Sequence, residues 1–227
     1  MRDTHWPMRV ALADDDTLAR RGFTTLLRAA GHEVVHSVED GDRLISALDT
    51  APADVALLDV RMPPGPEGGL RTAQRLRADH PSLGLLLVSH RMQLRHLPQV
   101  LALGAAAGSG YRLKDGLATV AALDDTLARV AAGDVVVEPG LGERLVDSAG
   151  DRVPPMMSPR QRRALGLLAE AATNDRIAGE LTVTGAVADR IVATVLATLG
   201  VPPAAASDRS HRALAVLRRL GMQEAAD

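Results

Sequence analysis

The sequence predicts two domains of different class, a doubly wound parallel α/β domain over residues 8–132 and a small all-α domain over 157–222. Three observations carry this. Short apolar runs alternate with helically spaced leucines and alanines five times before residue 132. The strand signal then disappears from Ser158 onward. Between the two, residues 133–156 crowd Pro139, Gly140, Gly142, Gly150, Pro154 and Pro155 among charged side chains, which reads as a linker with a short helix at Leu141–Val146.

The expected strands are Met8–Ala13, Glu33–Val38, Asp54–Leu58, Leu83–Val88 and Tyr111–Leu113. The third, around VALL, is apolar on both pleat faces, as a central parallel strand must be. The expected helices between and after them are Leu18–Ala30, Asp42–Leu48, Glu67–Ala78, Gln93–Leu103 and Leu117–Ala131. Each is closed by a helix breaker, in turn Gly31, Pro52, Pro81, Gly104 and Gly133. In the second domain Ser158-Pro159 is a helix start, with serine as cap and proline in the first turn. Helices are expected over 159–171, 174–181, 185–199 and 208–220, with Asn174 and Thr184 at cap positions and Gly200 closing the third.

Composition narrows the function. Hydrophobic residues are 46% and charged residues 24%, as in soluble globular proteins. Aromatic residues are only 1%, so a single-stranded nucleic-acid binder that stacks bases on rings is not expected. The net charge of −2 excludes a polybasic chain. With no cysteine, disulfides, thiolate metal sites and cysteine nucleophiles are excluded. No apolar run approaches the roughly 18 residues of a membrane span, and the polar first residues do not resemble a signal peptide; a cytoplasmic protein is expected. Of the 26 basic residues one alone is a lysine, Lys114. A compact, flexible point charge there, where arginine is the default, suggests a specific task.

In parallel α/β sheets ligands bind beyond the carboxyl ends of the strands. Those ends carry Asp14-Asp15-Asp16, Asp59, Ser89 and Lys114. Clustered carboxylates favour a hard divalent cation such as Mg²⁺, and an aspartate can act as a nucleophile that forms an acyl phosphate. Ser89 and Lys114 then supply the hydroxyl and the cation that steady phosphoryl oxygens in the transfer state. The triplet alone has a plainer reading: Asp14–Asp16 cap the following helix and Lys114 pairs with one of them.

The segments VALADDDTLARRGF, DVALLDVRMP, LLLVSH and GAAAGSGYRLKD resemble the motif regions of two-component response-regulator receivers, over nearly all of residues 8–132. The resemblance implies a flavodoxin-like (βα)5 fold. It implies Asp59 as phosphoacceptor, Asp14 and Asp15 as the acidic pair with Asp15 the more direct Mg²⁺ ligand, and the Arg61 backbone carbonyl on the same metal. Ser89 would be the switch hydroxyl, Lys114 the phosphate-binding cation, and Tyr111 the aromatic that reports activation, or else plain core packing. There are departures. Asp16 stands where relatives often carry histidine and adds negative charge beside the pocket. His90 and Arg91 are bulky neighbours of Ser89, and the loop PPGPEGG after Asp59 is unusually rich in proline and glycine.

MSPRQRRALGLLAEAATNDRIAGEL with LATLGV resembles the LuxR/NarL-type helix-turn-helix. In that fold the third helix, here 185–199, lies in the major groove. It reads GAVADRIVATVLATL, and Asp189 and Ile191 replace residues that usually face DNA. Arg190 and Thr194 remain as groove contacts, with Arg176, Arg160 and Arg162 for phosphates. Residues 158–227 hold nine Arg against seven Asp and Glu, a weakly basic net of +2.

The expected function is a response regulator in which phosphorylation of Asp59 by a cognate sensor histidine kinase switches binding to double-stranded DNA and so regulates transcription, with Mg²⁺ as cofactor and a homodimer as the expected assembly. The alternative is a receiver-based interaction protein whose degenerate helix-turn-helix no longer binds DNA specifically. An enzyme is not expected, because an aspartyl-phosphate phosphatase needs a second carboxylate two residues after the nucleophile and that position is Arg61.

Overall fold

In the computed structural model the described residues are 7–104, 107–202 and 208–222. Of these, 7–92 and 107–136 form one compact unit, and 93–104, 137–202 and 208–222 form the other.

The first unit is built on a sheet of β1 (Arg9–Ala13), β2 (Glu33–Val38), β3 (Val55–Asp59), β4 (Gly84–Ser89), β5 (Ser109–Leu113) and β6 (Val135–Val137), in the spatial order β2-β1-β3-β4-β5-β6. Strands β1 to β5 pair in parallel. Every residue of β3 and β4 is buried, which explains why their sequences are apolar without alternation. Val10, Leu12, Val55, Leu57, Leu86 and Val88 line one face and share a core with Phe23 and Leu27 of α1 (Thr17–Ala29) and Leu123, Leu127 and Val130 of α5 (Val120–Ala131). Helices α2 (Gly41–Leu48) and α3 (Gly68–Asp79) pack against one another and against the sheet. The flavodoxin-like architecture expected from the sequence is present. The winding reverses between β1 and β3, which sets the crevice beyond their carboxyl ends.

Two elements differ from expectation. The stretch 133–156 holds the edge strand β6 and a full helix, α6 (Leu141–Ala149). The stretch expected as one helix over Gln93–Leu103 divides into a 3-10 turn at Leu94–His96 and α4 (Leu97–Leu103), because Pro98 fits only the first turn of a new helix. Chain order assigns that stretch to the α/β domain, but its packing assigns it to the second unit. Five of its helical residues, Leu97, Pro98, Val100, Leu101 and Leu103, are apolar and buried, and α10 (Arg209–Arg219) packs beside them.

The rest of the second unit is α6 with α7 (Pro159–Ala169), α8 (Asn174–Leu181) and α9 (Gly185–Thr198). The start of α7 is as predicted: the Ser158 hydroxyl accepts from the Gln161 backbone and the Gln161 side chain accepts from the Ser158 N–H. For α8 the cap is Thr173, whose hydroxyl accepts from the Arg176 N–H at 3.1 Å, and Asn174 is the first helical residue. Thr184 stands at the start of α9 without a side-chain cap bond. The composition that reads as a linker is a packing device: a Cβ at Gly142 on α6 would lie 1.9 Å from the Gly166 carbonyl oxygen on α7, so glycine there lets the two helices touch backbone to backbone.

The proline- and glycine-rich loop after Asp59 has a similar explanation. A Cβ on Gly69 would lie 1.8 Å from the Asp59 carbonyl oxygen, and the Gly69 N–H donates to the Val60 carbonyl at 3.1 Å. The first turn of α3 is thereby pressed against the end of β3. Gly69→Ala must push these backbones apart, and we predict a loss of about 1–3 kcal/mol in urea denaturation; an unchanged midpoint would show that the contact relaxes without cost.

Candidate functional site

Strand register brings the chemically distinct residues together. Ala13 pairs with Leu58, Asp59 with Val88, and Ser89 with Leu113. Asp14, Asp59, Ser89 and Lys114 therefore share one edge of the sheet, and the Lys114 N–H donates to the Ser89 carbonyl at 2.9 Å. The Lys114 ammonium lies 2.7 Å from Asp14 Oδ2 and 2.9 Å from Asp59 Oδ1. All three residues are buried. Asp59 Oδ2 accepts the Arg61 backbone N–H at 2.8 Å, so both oxygens of that carboxylate are fixed in direction.

The acidic triplet divides its labour. Asp14 Oδ1 accepts the Asp16 N–H at 3.0 Å while Oδ2 holds the lysine. Asp16, expected to add negative charge beside the pocket, instead turns its carboxylate onto the Leu18 and Ala19 amides at the start of α1. Those amides hold its pKa below the ordinary value. Asp15 is exposed. One carboxylate oxygen each from Asp14, Asp15 and Asp59 lies within 4.8 Å of the others, a spacing that one hard cation spans. The plainer reading of the triplet is realised by two of its residues, since Asp16 caps α1 and Asp14 pairs with Lys114, while the Asp15 carboxylate lies beside the cluster.

Electrostatics follow from burial. Burial pushes the Asp14 carboxyl above its usual range, with the Lys114 hydrogen bond opposing and Asp59 adding to the rise. Burial disfavours the Lys114 ammonium, but its bonds to Asp14 and Asp59 outweigh that and the net shift is upward. Lys114 is accordingly a charged lysine at neutral pH, a fixed counter-ion in an acidic pocket.

Ser89 is buried at the pocket edge. Its hydroxyl donates to the Arg91 carbonyl at 2.9 Å and accepts the Arg91 N–H at 3.3 Å. The hydroxyl is therefore held by its own loop. Tyr111 on β5 is fully buried, the bulkiest such side chain among the described residues.

In the second unit the residues expected on DNA separate by their partners. Arg190 is exposed on α9, and no hydrogen bond or ion pair of its guanidinium is found among the described residues. The Thr194 hydroxyl donates to the Arg190 carbonyl at 2.8 Å, which leaves its methyl group and lone pairs for any further contact. Arg160 and Arg162 are exposed at the start of α7. Arg176 is committed elsewhere, to the buried Glu170 at 3.0 Å. Asp189 is not an idle negative charge: it accepts from the Asn174 amide at 2.6 Å, Asn174 in turn accepts from Arg212 at 3.0 Å, and Arg212 donates to the Ala172 carbonyl at 2.9 Å. This chain ties α9 to α8 and α10. Sequence reasoning missed Glu170, which also accepts the Gly142 N–H at 2.9 Å and so caps α6 from another helix; no local spacing signals a cap of that kind.

Residues 10–108 match the family model described as the response regulator receiver domain. The chain is 31% identical over 199 residues to the DNA-binding transcriptional activator DevR/DosR of Mycobacterium tuberculosis, covering 86% of this chain and 89% of that one. It is 33% identical over 204 residues to the probable transcriptional regulatory protein NarL of the same organism, covering 88% and 91%. Among solved structures it is similar to the RcsB response regulator of Salmonella typhimurium, with a TM-score of 0.55, 25% identity, and 96% and 99% of the two chains covered.

Burial holds the Glu170 carboxyl above its usual range, against the opposing Gly142 N–H and Arg176. The folded form therefore binds this proton more tightly than the unfolded chain does. Its contribution to stability is present in full below the unfolded pKa and is lost as pH rises through the folded one. We predict that the unfolding free energy of the protein, measured against Glu170→Gln, improves on acidification from neutral pH toward the ordinary carboxylate range. A gap independent of pH would mean that the Glu170 carboxyl binds its proton equally in the folded and unfolded chain.

Proposed function

Because this chain belongs to the two-component response regulators that carry a receiver domain, we propose that Asp59 accepts a phosphoryl group and that this switches binding of the helix-turn-helix to double-stranded DNA, so regulating transcription. The observation that carries the reading is the triangle of Asp14, Asp59 and Lys114, buried together at the carboxyl edge of the sheet with the Asp15 carboxylate beside it. By chain order the receiver spans 8–132, the output domain 157–222, and 133–156 joins them.

The donor set suits Mg²⁺: carboxylate oxygens of Asp14, Asp15 and Asp59, together with the Arg61 carbonyl, are hard ligands for a small dication. When bound, Mg²⁺ neutralises charge on the incoming phosphoryl group. Asp59 is the nucleophile; its carboxylate oxygen bonds to phosphorus as the bond from phosphorus to the donor breaks, and a mixed anhydride results. Lys114, already charged and oriented, moves its hydrogen bonding toward the phosphoryl oxygens. The Ser89 hydroxyl leaves the Arg91 carbonyl to do the same. Movement of Ser89 frees space beside Tyr111, and the populations of the two receiver states shift. The expected donor is a sensor histidine kinase, the expected assembly a homodimer, and the expected compartment the cytoplasm. No single helix among the described residues is long and apolar enough to cross a membrane. The chain reads as a regulator and not an enzyme, since Arg61 stands where a hydrolytic carboxylate would be needed.

On the DNA side, Arg190 is the groove-reading residue, with Thr194 beside it, and Arg160 and Arg162 take phosphates. Arg176 acts through Glu170 to hold the fold. The alternative, a helical domain that acts only through protein contacts, rests on the short supply of cations on α9. The tie between Asp189 and Asn174 weakens it, because it gives that acidic residue a structural task.

Incubation with acetyl phosphate and Mg²⁺ is expected to add one phosphoryl mass to the protein and none to Asp59→Asn; a persistent adduct would place the acceptor elsewhere. Arg190→Ala is expected to weaken binding to a specific site by about 1–3 kcal/mol, measured by fluorescence anisotropy. Unchanged affinity would move the readout to Arg160 and Arg162.

A further inference from the structure

The reading of the pocket as a Mg²⁺ site leaves open what aims Asp15, the one residue of the triplet whose carboxylate takes no hydrogen bond or ion pair among the described residues. Its neighbours are fixed on both sides. Asp14 donates its N–H to the Val38 carbonyl at 3.2 Å and gives its two carboxylate oxygens to Asp16 and Lys114. Asp16 is spent on capping α1. What remains is the peptide between Asp14 and Asp15, whose tilt sets the direction in which the Asp15 side chain leaves the backbone.

That peptide is held by Arg20. From the second turn of α1, Arg20 Nη1 donates to the Asp14 backbone carbonyl at 2.5 Å, and Nη2 reaches Thr17 Oγ1 at 3.5 Å. The Arg20 backbone N–H donates to the Asp16 carbonyl at 2.9 Å, so the backbone that carries the guanidinium is fixed to the cap residue of α1. Arg20 thus closes a ring from the cap, through one helical turn, back to the carbonyl that precedes Asp15. We propose that Arg20 is the positioning residue of the cation site, holding the Asp14–Asp15 peptide so that the Asp15 carboxylate stays gathered with those of Asp14 and Asp59.

The guanidinium also brings a positive charge near the bound cation, which by itself would weaken metal binding. The two effects have opposite signs and different variants separate them. Arg20→Leu removes the strap and the charge. Arg20→Lys keeps the charge and one donor of nearly the same reach. If the strap dominates, Leu weakens metal binding and Lys restores it. If the charge dominates, Leu strengthens binding.

The test is calorimetric titration of the full-length protein with MgCl₂ in the absence of any phosphodonor, on the parent, Arg20→Leu, Arg20→Lys and Asp15→Asn, with urea unfolding of each in EDTA alongside. Loss of a group that orients a metal ligand typically costs at least about tenfold in affinity, and that loss is expected for Arg20→Leu, with most of it recovered in Arg20→Lys and urea midpoints near the parent's. Equal or tighter binding by Arg20→Leu overturns the proposal. So does a loss that tracks the urea midpoint and is not recovered by lysine, because Arg20 would then be a scaffold residue alone. Absence of Mg²⁺ binding by the parent, or unchanged binding by Asp15→Asn, defeats the reading of the pocket itself and the proposal with it.

Discussion

The ammonium of Lys114, set between the Asp14 and Asp59 carboxylates, is the interaction on which the pocket depends. Two buried carboxylates on neighbouring strands repel, and neither reaches bulk water. The lysine, 100 residues from Asp14 in the chain, neutralises part of that charge and ties the ends of β1, β3 and β5 together. Removing one partner from such a group typically costs about 3–5 kcal/mol, because the others are left charged and buried. The same arrangement is poised for chemistry: a carboxylate fixed in direction, a counter-ion that stays charged, and an additional acidic side chain within reach of a cation.

Much of this was legible in the sequence because parallel sheets place strand ends in register. Asp14, Asp59, Ser89 and Lys114 each follow an apolar run, and once the five runs are accepted as strands their convergence is forced. Local preference conveyed the caps as well, as with Ser158 and Gln161. It misled by one residue at Thr173, since Thr and Asn are both good caps and only the backbone decides between them. Asp16 was read both as a helix cap and as added charge beside the pocket, because sequence shows which side chains are near and not which hydrogen bonds satisfy them.

What sequence hid is long-range. Gly140, Gly142 and Gly150 carry the signature of a linker, yet Gly142 is the contact at which α6 crosses α7, and composition cannot distinguish a glycine that gives freedom from one that gives closeness. Glu170 serves two helices besides its own. Asp189 looks hostile to DNA until Asn174 and Arg212 are seen to hold it. These three findings give the helical unit ties that its alanine-rich sequence does not suggest, and the pairing of Arg176 with Glu170 leaves Arg190, Thr194, Arg160 and Arg162 as the proposed DNA contacts.

The central claim is that phosphorylation in the acidic pocket governs DNA binding by the helical domain. Its most direct test is selection of sheared genomic DNA by the full-length protein, with and without a beryllofluoride phosphoryl mimic, across a range of salt concentrations. The account predicts discrete enriched sites, stronger with the mimic, and a shallow salt dependence because few unpaired arginines are available for phosphates. No enrichment in either state, from protein shown to be folded by circular dichroism, would contradict it and turn the search toward protein partners.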